Sequence, residues 1–262
     1  MREILEMLAK GEISVGEAEK LLRVLAMQEI EGLAKLDQSR ELRKGIPEIV
    51  LAEGKTAEDV RDIALAGVTK MGRIIISRTT KDQVEAIRQA ITPGLSLESD
   101  KGIRTIVIRR KGFTVKETGG RIGILTAGTS DIPIAEEAKI VAKEMGCEVM
   151  TAYDVGVAGI HRVFSPLREM IQNDVDVIVV VAGREGALAT VVAGLVNIPI
   201  IGVPTSFSWG LGEKGLSSLT SMLQACPLGL TVVNIDGGIA AGAAAALIAN
   251  RTARARTNTE IG

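Results

Sequence analysis

Five apolar runs in the second half of the chain each end in residues able to do chemistry. The first runs into Thr126-Ala127-Gly128-Thr129-Ser130-Asp131, where small residues and hydroxyls before a helix leave backbone donors for a phosphate or carboxylate. The same letters also make an ordinary Ser/Asp helix cap, so this loop alone decides nothing. The second ends in Tyr153-Asp154-Val155-Gly156-Val157-Ala158-Gly159-Ile160-His161-Arg162, which carries the single histidine of the chain. A lone histidine is more often structural, but on a Gly-rich loop beside Arg162 and Asp154 it can meet a ligand. The third ends in Gly183-Arg184-Glu185-Gly186. A carboxylate directly after a buried strand is a candidate acid, base or water-orienting group. The plainer reading is an early-turn acid that complements the helix dipole. The fourth gives Thr205-Ser206 and then a glycine-containing loop with Trp209, the sole tryptophan, able to stack on a ring or to cover a core edge. The fifth ends Asn234-Ile235-Asp236-Gly237-Gly238, where the glycines permit close backbone approach.

Two thiols complete the inventory. Cys147 introduces an apolar strand and reads as a small buried hydrophobe. Cys226, between a helix and Pro227, becomes a nucleophile only if its surroundings favour the thiolate; burial statistics favour an inert side chain there too. So few cysteines fit a reducing compartment, and a cytoplasmic location is expected. With 31 Lys and Arg against 32 Asp and Glu, no basic field calls for nucleic acid. The charged N-terminus is not a signal peptide, and the longest apolar runs reach about half of a membrane span, so no membrane partner is expected. A small polar ligand suits this balance.

Those strand ends need elements to hold them. Strands are predicted at 122–126, 148–153, 175–182, 199–203 and 231–235, alternating with helices at 133–145, 165–172, 187–196, 215–225 and 239–251. Apolar strands alternating with helices predict a parallel sheet covered on both faces, with ligands outside the carboxyl ends of its strands. Upstream, Ser14 and Glu17 have capping-box spacing in a helical hairpin over residues 1–35. Residues 36–58 read as a polar linker leading into a small α/β lobe that ends near 118. The regular α/β domain is expected over 119–253, and 254–262 reads as a flexible tail.

The ordered motifs LTAGTSDIPIAEEA, YDVGVAGIHR, VVAGREGAL, GVPTS and VVNIDGG resemble the PurE-like carboxylase superfamily, and within it the LarB family. The resemblance covers about residues 119–251, and Arg40–Glu48 and Gly54–Thr56 resemble the N-terminal region of the same family. It implies a three-layer, flavodoxin-like catalytic domain after a smaller helical and α/β region. The implied reaction is carboxylation of nicotinic acid adenine dinucleotide at pyridinium C5 with hydrolysis of its phosphoanhydride. The products are pyridinium-3,5-biscarboxylic acid mononucleotide and AMP, a first step toward the nickel-pincer nucleotide cofactor. Mg2+, CO2 or bicarbonate as co-substrate, and a homo-octamer are implied with it. Cys226 aligns with the cysteine that adds to the ring, and Glu185 or His161 becomes the base. Gly128, Thr129, Ser130, Asp131, Asp154, Arg162, Gly183, Thr205, Ser206, Asp236 and Gly237 become substrate-binding residues, with Asp131 or Asp154 near the metal. The purine-pathway branch, an aminoimidazole ribonucleotide carboxylase or mutase, is expected to carry a histidine in the loop after the third strand; here that loop is GREGAL. A non-catalytic nucleotide-binding protein is the third reading, since a fold alone does not imply an activity.

Overall fold

The runs around 122–232 become five parallel strands in the computed structural model, which describes residues 2–25, 27–30, 34–37, 40–99, 102 and 104–259. The chain divides into two compact units, 1–99 with 105–113 and 100–104 with 114–262.

In the first unit, helices α1 (Arg2–Ala9) and α2 (Val15–Leu25) precede a two-stranded ribbon, β1 (Met27–Ile30) and β2 (Ala34–Asp37). The capping box before α2 is present: Ser14 N–H and hydroxyl donate to Glu17, and Glu17 N–H donates back to Ser14 Oγ. Then follow α3 (Arg40–Lys44), β3 (Ile49–Leu51), α4 (Ala57–Met71), β4 (Arg73–Ser77), α5 (Lys81–Ala90), β5 (Leu95–Ser99) and β6 (Thr105–Arg110). The sheet order is β3-β4-β6-β5, with β3 parallel to β4 and the other pairs antiparallel. The supposed linker is therefore mostly structured: a strand, a short helix and the sheet's edge strand lie between residues 34 and 51, while Gln38 and Ser39 lie outside the described residues. Nor does the hairpin form a unit of its own.

The second unit runs β7 (Arg121–Thr126), α6 (Ile132–Glu144), β8 (Glu148–Ala152), α7 (His161–Gln172), β9 (Val177–Ala182), α8 (Ala187–Ala193), β10 (Ile200–Pro204), α9 (Leu216–Leu223), β11 (Leu230–Val232) and α10 (Gly238–Thr259). Every pairing is parallel and the order is β11-β10-β9-β7-β8. The unit is a doubly wound three-layer sheet of flavodoxin-like order. On one face α6 and α10 pack together against β7 and β9. Their approach is close enough that a Cβ at Gly242 would stand 2.4 Å from the Ala138 carbonyl oxygen. On the other, Val163, Leu167 and Met170 of α7 join Leu188, Val192 and Met222 around Leu125, Ile178 and Val180. All six residues of β9 are buried, as a central parallel strand requires, and each fully buried Val or Ile contributes about 1.5–3 kcal/mol. The tail is a correction: α10 continues to Thr259, and Arg256 is clamped by Asp176 and by the Gly119 carbonyl. Residues 260–262 lie outside those described.

Candidate active site at the carboxyl ends of the sheet

In this strand order the chain turns opposite ways after β7 and after β9, which opens a crevice above their carboxyl ends. A cavity of about 390 Å3 occupies it. Gly128, Ser130 and Asp131 line it from the β7 loop, and Asp154, Gly156, Val157, Ala158 and Arg162 from the β8 loop. The end of β9 supplies Ala182, Gly183, Arg184 and Glu185, the start of α8 adds Ala187 and Leu188, and Phe207 joins from the β10 loop.

Asp131 holds the floor. Its side chain is 3% exposed; one oxygen accepts from Thr205 Oγ1 at 2.7 Å and the other from Gly128 N–H at 2.9 Å. Burial pushes its pKa up, opposed by the hydrogen bonds from Thr205, Gly128 and Gly183 and assisted by the nearby charge of Asp236. One carboxylate thus ties the ends of β7, β9 and β10 together. Beside it, Asp236 accepts from the Ser206 N–H at 2.9 Å and the Ser206 hydroxyl at 2.6 Å, which fixes the turns after β10 and β11. Thr205, Ser206 and Asp236 are supports beneath the cavity and do not line it. Gly237 answers a tight turn, since a Cβ there would lie 2.7 Å from the Asn234 carbonyl oxygen.

The walls mix apolar side chains with a few charged ones. Asp154, in the left-handed region at φ 57°, accepts from Arg162 at 2.8 Å, and its N–H donates to Thr126 Oγ1 at 3.0 Å. Gly156 lets the β8 loop lie directly on the β7 loop: a Cβ would come within 2.4 Å of the Ala127 carbonyl oxygen. Arg184 is also left-handed, at φ 55°, and both it and Glu185 are exposed at the cavity mouth. For residues other than glycine this conformation is costly and gathers where neighbouring structure imposes it.

Like Thr205, Ser206, Asp236 and Gly237, three further expected members, His161, Thr129 and Cys226, do not line the cavity. His161 opens α7 as an exposed residue, one position before Arg162, which does; Thr129 is exposed in the short 3-10 turn before α6. Cys226 is the larger discrepancy. It is exposed and precedes β11, so it stands at the amino edge of the sheet, where neighbouring Pro227 approaches Gly194 at the far end of α8. A strand of five or six residues, at about 3.3 Å each, separates that edge from the cavity. Within one chain the thiol does not reach Glu185. Cys147 is buried, donates to Asn250 Oδ1 at 3.1 Å, and burial pushes its pKa up to about 11.

Asp131 and Asp154 do not fit a Mg2+ ligand pair. The first spends both oxygens on protein donors and the second is paired with Arg162. Among the described residues no group of three His, Cys, Asp or Glu side chains is arranged to hold a metal ion. Nor, among them, is any helix long and apolar enough to cross a membrane. Gly156, Val157, Ala158, Arg184 and Phe207 escaped the sequence reading as binding residues. The glycine spacing in GVAG was the available signal for the first three.

Residues 121–260 match the family model described as AIR carboxylase, and 27–110 match the LarB/PurE-like N-terminal domain. The chain belongs to the LarB/PurE-like superfamily. An uncharacterised protein of Methanocaldococcus jannaschii is 44% identical over 253 residues, covering 95% of this chain and 96% of that one. N5-carboxyaminoimidazole ribonucleotide mutases are similar to less than half of the chain. The one from M. jannaschii is 36% identical over 45% of this chain and 71% of its own length. The Thermotoga maritima enzyme is 28% identical over 44% of this chain and 67% of its own length. Membership in this superfamily makes the chain a carboxylase-type enzyme, with its PurE-like unit built around the crevice just described.

Proposed function

We propose that this enzyme carboxylates nicotinic acid adenine dinucleotide at C5 of the pyridinium ring and hydrolyses its phosphoanhydride, releasing pyridinium-3,5-biscarboxylic acid mononucleotide and AMP. The observation that carries this reading is the lining at the end of β9. Arg184 and Glu185 stand there, and the one histidine of the chain lies outside the cavity. The LarB/PurE-like N-terminal domain, matched over residues 27–110, supports the same branch.

A pyridinium ring is electron-poor and does not attack CO2. Thiolate addition makes it a dihydropyridine, whose enamine C5 forms the C–C bond to CO2. Glu185 then takes the C5 proton, and expulsion of the thiolate restores aromaticity. Arg162 and Arg184 meet the charge of the phosphates as water cleaves the anhydride. No step is assigned to Mg2+, because Asp131 and Asp154 are committed to protein donors.

In this reading Cys226 supplies the thiolate to the cavity of a second copy. Leu223 and Leu228, which flank it, are 64% and 94% exposed, as suits a surface covered on assembly; an octamer, by resemblance, is the proposed state.

The test is incubation with nicotinic acid adenine dinucleotide and bicarbonate, read by mass spectrometry. The expected products are AMP and a mononucleotide heavier by one CO2. Their absence, with turnover of N5-carboxyaminoimidazole ribonucleotide instead, would return the protein to the mutase branch, to which it is also similar.

A further inference from the structure

Beyond the cavity mouth, Arg184 covers one more group. Its guanidinium lies 4.2 Å from the centroid of the Trp209 ring, well inside cation–π range, while the same side chain lines the cavity. Trp209 is 75% exposed and Phe207, on the cavity wall, is 44% exposed. The segment bearing both rings is seated on the turn after β9. A Cβ at Gly183 would fall 2.8 Å from the Phe207 carbonyl oxygen, and one at Gly212 would lie 3.6 Å from the Arg184 carbonyl oxygen. The Ser208 hydroxyl donates to the Gly212 carbonyl and closes the loop on itself. An exposed indole held at a fixed place beside a ligand cavity, with an arginine between the two, has the layout of ring, phosphate and base.

We infer that Trp209 is a stacking platform for the second aromatic base of a dinucleotide whose first ring occupies the strand-end cavity, with Arg184 on the bridging phosphates between them. This rests on the dinucleotide reading above. Trp209 takes up the base through its exposed π surface, a sequence-tolerant contact open to any planar base. Arg184 moves from indole to phosphate without leaving the mouth, exchanging a cation–π contact for a charge-assisted hydrogen bond. A mononucleotide substrate would have no use for the platform, so Trp209 is a specificity residue of the dinucleotide branch.

Trp209 is the only tryptophan, so indole emission reports from this position alone. AMP and nicotinic acid adenine dinucleotide are expected to quench it strongly, whereas ribose 5-phosphate, which draws Arg184 to its phosphate but lacks a base to stack, is expected to change it far less. In Trp209→Leu the KM for the dinucleotide should rise about tenfold with kcat retained, and Trp209→Phe should recover part of the loss. The exposed position leaves the urea midpoint unchanged. Equal quenching by ribose 5-phosphate, or an unchanged KM in Trp209→Leu, overturns the platform. Carboxylation with neither quenching nor a KM change sinks the platform and leaves the reaction standing. Quenching by AMP in a protein that never carboxylates the dinucleotide keeps the platform and sinks the reaction.

Discussion

The two edges of the five-stranded sheet are built from the same strands and do opposite things. At the carboxyl edge, strand ends are drawn together by acids, of which Asp131 is buried. Asp131 binds donors from three loops, and Asp154 and Arg184 accept left-handed backbone. At the amino edge the interactions are quieter. Thr118 donates to Asn250 Oδ1 at 2.5 Å, Cys147 shares that oxygen, and Asn250 Nδ2 donates to the Met145 carbonyl at 3.0 Å. One thiol is locked inside that network and the other, Cys226, faces outward. The contrast teaches that an exposed cysteine in such a sheet is placed for chemistry only if another chain brings a cavity to it.

The largest effects should come from the proposed chemistry. Glu185→Gln is expected to lower kcat by about 100-fold or more while the exposed side chain leaves the urea midpoint unmoved. A wild-type rate would remove Glu185 as the base. Next comes the floor of the cavity. Asp131→Ala strands the Gly128 and Gly183 N–H groups and the Thr205 hydroxyl and should cost about 2–4 kcal/mol in urea unfolding. A change below about 0.5 kcal/mol would mean that Asp131 does not hold the edge together. On the helical layer, Gly242→Ala drives a methyl into the Ala138 backbone and should cost about 1–3 kcal/mol.

The smallest effect separates the two thiols. In the native protein Cys226 should react with iodoacetamide and Cys147 should not, with both reacting after denaturation. The Cys147 pKa is raised from 9.0 to about 11 by burial. Its contribution to stability is therefore complete below about 9 and is lost as pH rises toward 11. Thermal midpoints across that window should fall faster for wild type than for Cys147→Ala, and parallel curves would contradict this.

Much of the second unit was legible because its apolar runs are long and separated by helical stretches, so the order of strand ends was readable before their geometry. The height of each residue above the sheet was less so. Cys226 stood among strand-end motifs in the chain, yet it precedes its strand whereas the others follow theirs. The roles of Thr205 and Asp236 were hidden for a related reason: a hydroxyl or acid at a strand end looks the same whether it faces a ligand or Asp131 and Ser206. Residues 36–58 looked like a linker because β3 has three residues with only Val50 buried, and its stability comes from pairing with β4, more than twenty positions away. The end of α10 failed likewise, since the anchor of Arg256 is Asp176, invisible to a local pattern.

The most direct test joins the two edges. Cys226→Ala and Glu185→Gln chains, each inactive alone, are coexpressed with different tags, and mixed assemblies are purified through both. If the thiol of one copy serves the cavity of another, random mixing leaves about a quarter of the sites with both groups intact, and carboxylation of nicotinic acid adenine dinucleotide should return to about a quarter of the wild-type rate. Mixed assemblies as inactive as either parent would contradict catalysis across copies.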